Sequence, residues 1–345
     1  MTKTLLGLTQ NDIEEMTKEL KLPLFVSKQL SDWLYKKKIN SIDEMSNISA
    51  AVKEILKKEF TLGAQKNCQE TISSDGTKKY LFQAAQNRFI ESAFIPDLKN
   101  EKRATLCLST QIGCKMGCLF CMTAKQGFQG QLQVNDILNQ YHSLPECEKI
   151  SNIVFMGMGE PLDNYDNVMK ALEILTAPWG YALSPKRITV STVGILPALT
   201  NFLQNSKVNL ALSLHTPFDD ERKNLMPIQN VYPIKEVIAA IRSTDKAHER
   251  RVSFEYIVFG GMNDTPSHVK ELARLLNGMN AHINLMRFHK VPNSPLPPTD
   301  ENRLLEFKEA LMKKDIMTTI RASRGFDIEA ACGLLSTKRL LENKN

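Results

Sequence analysis

No stretch of this 345-residue sequence holds the run of about 18 apolar residues that a membrane-spanning helix requires. Internal repeats and low-complexity segments are also missing. The opening, Met1 to Leu8, reaches acidic Asp12 too soon for a signal peptide, so a soluble cytoplasmic protein is expected. Cysteine is scarce and odd in number, at seven, which argues against a disulfide scaffold. Aromatics make up 7%, with 16 Gly and 15 Pro, so collagen-like and rod-like architectures are excluded. What is present is ordinary for a globular chain: 42% hydrophobic and 24% charged residues, enough for one large domain or two modest ones. The 44 basic and 38 acidic residues leave a net charge of +6, which permits a polyanionic partner without demanding one.

The pattern along the chain changes twice. Residues 1–62 read as helices, with Asn11-Asp12 preceding one run, Leu24 to Leu34 carrying a second, and Ser46 to Phe60 a third. Lys36-Lys37-Lys38 ends the second run, as a solvated helix end or as a contact for RNA phosphate. Residues 63–99 turn strand-like, with Lys79 to Gln83 and Arg88 to Ile95, and read as a small β extension. From 100 to 330, strands alternate with helices. Strands are expected at Ala104–Ser109, Asn152–Met156, Arg187–Thr192, Val208–Leu214, Val252–Phe259 and Ile283–Phe288, then a short one at Met317–Ala322. Helices are expected at 134–144, 164–176, 195–205, 233–244, 265–277 and 300–314. This is an α/β pattern of parallel strands, with too few units for a closed eight-unit barrel but enough for a partial (β/α)6 one. Chemistry then belongs at the carboxyl ends of the strands. Residues 331–345 form a tail.

The cysteines cluster where that logic puts a site. Cys114-x3-Cys118-x2-Cys121 directly follows the first of the alternating strands. Three thiolates on a tight loop can hold a 4Fe–4S cluster and leave one iron open to a small chelating molecule. Zinc also takes thiolates, but a structural zinc site wants four ligands. Phe155 to Pro161 ends the second strand with glycines that let a ligand approach the backbone, and with Glu160, which can receive an ammonium group. Ser191 ends the third strand, and Ser213-Leu214-His215 ends the fourth. Cys68 and Cys147, without neighbours in sequence, read as buried small hydrophobes.

The cysteine loop resembles that of the radical S-adenosylmethionine (radical SAM) superfamily. The resemblance implies that the amine and carboxylate of S-adenosylmethionine chelate the open iron and that Gly159 and Glu160 hold the amine. A larger set then narrows it: Cys107, the cysteine loop with Lys125-Gln126-Gly127-Phe128, Gly157 to Pro161, Ser213-Leu214-His215, and Asp327 to Gly333 around Cys332. Together and in order, these are similar to the RlmN family of RNA adenine-C2 methyltransferases and to its sister Cfr, over essentially the whole chain. Lys125 to Phe128 and Glu160-Pro161 point to RlmN. The resemblance implies 23S rRNA and tRNA as substrates and two S-adenosylmethionine molecules per turnover. It also implies Cys332 as methyl carrier, Cys107 as the thiol that resolves the adduct through a transient disulfide, and Glu91 as the base for the carbon 2 proton. A flavodoxin-like electron donor and a monomer are expected.

Three departures qualify it. His289 stands where the family places asparagine. Cys332-Gly333 is followed by Leu334 rather than glutamine. The Glu91-to-Cys107 spacing is lengthened through Leu98-Lys99-Asn100. Other readings are a Cfr-like adenine-C8 methyltransferase, a non-catalytic RNA-binding iron–sulfur or zinc protein, and an enzyme that activates another protein through a glycyl radical. The pair Cys107 and Cys332 discriminates, because the last two have no use for it.

Overall fold

The computed structural model describes residues 3–84, 88–244 and 252–337. Its centre is one ten-stranded sheet. In chain order the strands are β1 (Gln69–Ile72), β2 (Lys78–Ala84), β3 (Arg88–Pro96), β4 (Ala104–Cys107), β5 (Ile150–Phe155), β6 (Ile188–Thr192), β7 (Asn209–Ser213), β8 (Val252–Val258), β9 (Ala281–Arg287) and β10 (Met317–Ile320). Neighbours in sequence are neighbours in the sheet throughout. From β4 to β10 every pairing is parallel, whereas β1 to β4 pair antiparallel.

Helices Val134–His142, Tyr165–Thr176, Leu196–Asn205, Ile234–Arg242, Pro266–Leu276 and Glu301–Met312 fall between the parallel strands, close to their expected bounds. A parallel connection needs such a crossover, and the helices cover the sheet with amphipathic faces. Ile234, Val237, Ile238 and Ile241 show the spacing: one buried stripe on a helix whose other face is solvated. The rim strands alternate accordingly, Ile188, Val190 and Thr192 being buried and Thr189 and Ser191 partly open.

The amino-terminal helices Gln10–Glu19, Phe25–Ser31 and Ala50–Glu59 share one continuous apolar core with the barrel. His142 Nε2 lies 3.0 Å from the Ile39 carbonyl, Asn139 Oδ1 accepts from the Gln65 N–H at 2.8 Å, and Tyr35 packs edge-on against Tyr181. The first helix starts one turn earlier than Asn11-Asp12 suggested. Thr9 caps it and Asp12 closes the capping box, an arrangement worth about 1 kcal/mol. The second expected helix widens into a π-helical turn at Asp32–Lys36. There Lys37 sits 3.5 Å over the Trp33 ring and Lys38 pairs with Glu148. Cys68 is exposed and Cys147 half-buried, so neither is the buried hydrophobe that its isolation suggested. Among the described residues no helix is long and apolar enough to cross a membrane.

Candidate active site

The carboxyl ends of the parallel strands open on a cavity of about 280 Å³. Its walls include Cys107 from β4, Cys114, Cys118 and Cys121 from the following loop, Gly159 and Glu160 after β5, and Ser191 from β6. Ser213 and His215 at β7, His289 after β9, and Cys332 join them, leaving only Leu214 and Glu91 of the expected set outside this cavity. Parallel topology brings them together, because each strand ends at the same rim.

The cysteine loop is held from three sides. The Leu119 N–H donates to the Leu225 carbonyl at 3.0 Å, Met122 N–H to Gly333 at 2.8 Å, and Cys121 N–H back to Cys118 at 3.2 Å. Cys114 and Cys118 are buried and Cys121 is half-buried. Burial, with the Cys121 thiol beside it, pushes the Cys114 thiol up to about 12 despite the Met116 N–H. Burial and then its two sister thiols raise Cys118 well above the ordinary range. Thiols that resist ionisation together are stabilised as thiolates by cationic iron. Among the described residues no three His, Cys, Asp or Glu side chains converge on a single ion. A 4Fe–4S cluster asks for something different, one thiolate for each of three irons, and three cysteines on one wall suit that demand.

Glu160 also lines the cavity, buried, and three donors hold it. Thr192 Oγ1 donates to one carboxylate oxygen at 2.6 Å and the Leu162 N–H at 3.1 Å, while the Val193 N–H reaches the other at 3.0 Å. Burial outweighs them and pushes the carboxyl up to about 7. Gly159 has φ +99°, and a Cβ there would stand 2.5 Å from Gln111 Cβ. Gly159→Ala should therefore destabilise the fold by roughly 1–3 kcal/mol, through overpacking and a backbone that alanine avoids. Thermal unfolding checks this, and an unchanged midpoint would remove the close-approach argument.

His215, also left-handed at φ +59°, accepts the Ile257 N–H on Nδ1 at 3.0 Å. Burial pushes the imidazole down to about 3, so it is neutral. Phe120, before the third cysteine, packs edge-on against it at 4.7 Å. Leu214 does not face the cavity as expected. Its side chain is fully buried in the main core, and only its carbonyl serves the rim, by accepting from Arg222. His289 Nε2 lies 2.9 Å from Ser323 Oγ, and its ring packs at a tilt against Phe326, with centroids 4.6 Å apart.

Cys107 and Cys332 line the same cavity as free thiols. Cys107 is buried beside Ala93 and Ala330, and burial pushes it up to about 12. Cys332 is exposed to the cavity. Desolvation by the surrounding walls raises its thiol, and the Arg321 guanidinium opposes that rise. Arg321, just beyond β10, is held by Glu255 at 3.3 Å and touches Met156 Sδ at 3.4 Å. Neither Arg321 nor Glu255 was expected from sequence: Arg321 follows a strand end as the other rim residues do, whereas Glu255 sits in the middle of β8.

Glu91 is placed differently. It sits two residues from Ala93, which pairs with Cys107, so both side chains project from one face of the sheet. It lies in an adjacent cleft, buried, 3.1 Å from Lys79 Nζ and accepting the Ser336 N–H at 3.0 Å. Burial raises its carboxyl above the usual range, with Lys79 opposing. Segment 331–337 runs between this cleft and the cavity, tied down by Thr123, which donates to Leu335 at 2.6 Å, and by Gln126, whose Oε1 accepts the Thr337 N–H at 3.0 Å. Leu334 is buried against the apolar group around Cys118 and Phe120, which explains an apolar residue there. Residues 97–103 form an exposed turn outside the β3–β4 pairing, so the longer spacing leaves Glu91 in register with the strands. The β1–β2 turn grips the same carboxy-terminal segment through Asp75, which pairs with Arg324 at 3.0 Å and accepts the Gly325 N–H at 2.9 Å.

Comparison with known proteins agrees with this geometry. Residues 108–276 match the radical SAM superfamily, and residues 3–62 match the ribosomal RNA large subunit methyltransferase N-terminal domain. A probable dual-specificity RNA methyltransferase RlmN from Parabacteroides distasonis is 51% identical, covering 98% of this chain and 97% of its own. The dual-specificity RNA methyltransferase RlmN of Syntrophus aciditrophicus is 41% identical, over 96% of this chain and 95% of its own. The crystal structure of a radical SAM methyltransferase from Sphaerobacter thermophilus superposes with a TM-score of 0.90 at 34% identity, covering 96% of this chain and 99% of that one. With identity this high over nearly the full length, this chain belongs to the RlmN family of radical SAM enzymes.

Proposed function

We propose that this protein methylates carbon 2 of adenosine in 23S rRNA, at the peptidyl transferase centre, and in tRNA next to the anticodon, with Cys332 as methyl carrier. The observation that carries this reading is that Cys107 and Cys332, from opposite ends of the barrel sequence, line one cavity with the three-cysteine loop. Carbon 2 lies between two ring nitrogens and is too electron-poor to attack a sulfonium methyl directly. When bound through Cys114, Cys118 and Cys121, a 4Fe–4S cluster with S-adenosylmethionine supplies the radical that such a carbon requires.

The chain's own residues do the rest. Cys332 takes a methyl group on sulfur; that methyl gives up one hydrogen atom to the radical, and its carbon then bonds to carbon 2. Glu91, its carboxyl raised by burial, takes the carbon 2 proton once segment 331–337 moves from its Ser336 contact. The Cys107 thiolate attacks the sulfur of Cys332, so that a sulfur–sulfur bond forms as the sulfur–carbon bond breaks. The methylene carbon takes up a proton to become the methyl group, the RNA leaves, and an external dithiol reduces the disulfide before the next turnover. Arg321 favours the thiolate form of both cysteines. Residues 1–62 and the β extension 63–99 grip folded RNA, which is recognised by shape and by splayed bases, while residues 100–330 hold the chemistry and tail residues 331–345 carry Cys332. The enzyme works as a cytoplasmic monomer with two S-adenosylmethionine molecules per turnover and a flavodoxin-like donor. Anaerobic turnover with each RNA, followed by nuclease digestion and mass spectrometry, tests the reading. The 2-methyl product is expected. An 8-methyl product would assign the chain to Cfr-like chemistry, and no product would remove the enzyme reading.

Glu160 adds a pH signature. A carboxyl at about 7 in the fold takes up protons that the unfolded chain has already lost. Its contribution to stability therefore falls as pH rises from the ordinary glutamate range through about 7. An ammonium ligand favours the ionised form, so S-adenosylmethionine should bind more weakly as pH drops through 7. Equilibrium binding should show this slope, and Glu160→Gln should flatten it and cost roughly 1.5–3 kcal/mol of affinity. A slope that persists in the variant would assign it to another group.

A further inference from the structure

Arg222 is a fully buried guanidinium in the short helix Asp219–Leu225 after β7. Its Nη2 donates to the carbonyls of Val193 and Ser213, each at 3.0 Å. Its Nε donates to Leu214 at 3.3 Å and its Nη1 to Gln229 Oε1 at 2.8 Å. Every acceptor is neutral. Asp219, the acid nearest in sequence, instead accepts from Gln229 at 2.9 Å and pairs with Lys235 at 2.6 Å. A buried charge that has hydrogen bonds but no ion-pair partner is costly, and the cost asks for an anion nearby.

That anion has a place to be. The helix of Arg222 ends against the cysteine loop, where Leu225 accepts the Leu119 N–H, and Pro227 Cγ stands 3.3 Å from where a Gly117 Cβ would be. Leu225 and Met226 pack in the apolar group that contains Cys114 and Cys118. Leu119, which Leu225 holds, is the residue next to Cys118, so the buried guanidinium and the cysteine loop share one dry wall. Three of these hydrogen bonds, to Val193, Ser213 and Leu214, clamp the ends of β6 and β7, the rim that carries Ser191, Ser213 and His215.

We propose that Arg222 is the buried counter-charge of the iron–sulfur site, a positioning residue that ties the rim together and makes the cluster easier to reduce. This rests on the assignment of Cys114, Cys118 and Cys121 as its ligands. Reduction adds one electron, from an external one-electron donor, to a unit that three thiolates already make anionic, and no bond forms or breaks. A fixed positive charge in a dry environment stabilises the reduced form more than the oxidised one.

The test is a redox titration of reconstituted full-length protein with dithionite and mediator dyes, followed by electron paramagnetic resonance, with iron content measured beside it. Arg222→Gln should lower the equilibrium constant for reduction at least tenfold, about 59 mV for a one-electron couple. Arg222→Lys, which keeps the charge and loses the planar fork, should lower it much less. Gln229→Glu keeps the guanidinium in place and sets a carboxylate 2.8 Å from Nη1, where Oε1 now lies. It should mimic Arg222→Gln, and it decides the matter if the latter does not fold. A wild-type potential in Gln229→Glu with full iron would overturn the inference while leaving the cysteine assignment standing. A wild-type protein that takes up no cluster would overturn both. An equal shift in Arg222→Lys and Arg222→Gln would reduce Arg222 to a clamp.

Discussion

Cys107→Ala should accumulate a covalent protein–RNA species joined through Cys332, resistant to denaturant, while releasing no methylated RNA. Under the proposed mechanism the carrier, Cys332, remains in this variant, so methylation of its sulfur and attachment to adenine should both proceed. What is missing is the second thiolate: the sulfur–carbon bond to the RNA breaks only as a sulfur–sulfur bond to Cys107 forms. Cys107 lies on β4 directly opposite Ala93, with Ala330 of the carboxy-terminal segment in the same small buried group, so Cys332 approaches it from a segment the structure already holds there. Cys332→Ala should give neither methylated protein nor adduct. Cys107 has a competing role as a small buried strand residue, for which truncation to alanine costs about 1 kcal/mol and leaves turnover intact. Mass spectrometry of nuclease-treated protein separates the two, and free methylated RNA without an adduct from Cys107→Ala would sink the carrier mechanism.

The parts of the site legible in the sequence are those whose backbone placement follows from alternation. Cys114, Glu160, Ser191 and Ser213 each end a strand or follow one, so period and topology together put them at one rim. Leu214 shows where that rule stops: in a strand the next residue points to the opposite face, and its side chain went into the core. Arg222 was invisible for another reason. It sits in the run Asp219 to Lys223, which reads as a solvated helix face, and only the way the helix docks on β6 and β7 buries it. Arg321 was within reach, since it follows the last parallel strand as the others follow theirs. Glu91 needed antiparallel register to be placed, and neither its ion pair with Lys79 nor its contact with Ser336 has any signature in local sequence.

Cys118→Ala should abolish the cluster and all turnover while leaving the iron-free protein almost as stable as before, and Cys114→Ala and Cys121→Ala should do the same. In the iron-free fold burial holds the Cys114 and Cys118 thiols neutral, Cys118 most firmly because its two sister thiols add to the effect of burial. Removing one sulfur from that uncharged group forfeits packing worth about 1 kcal/mol, partly compensated by relaxation around a smaller residue. With iron the balance reverses. Under the proposed assignment each thiolate would carry one corner of the cluster, its ionisation stabilised by the metal, and no water or neighbouring carboxylate matches a thiolate for soft iron. Loss of one corner in a three-thiolate site leaves too few protein ligands to retain the rest. Iron content and the visible band of anaerobically reconstituted protein should therefore fall to background in all three variants, while the melting temperature of the iron-free form shifts by a few degrees at most. Cys68→Ala, at an exposed position away from the cavity, is the control that should keep both iron and activity. Full iron with normal turnover in any one of the three loop variants would refute the ligand assignment, and a large loss of stability without iron would make that cysteine a core residue first.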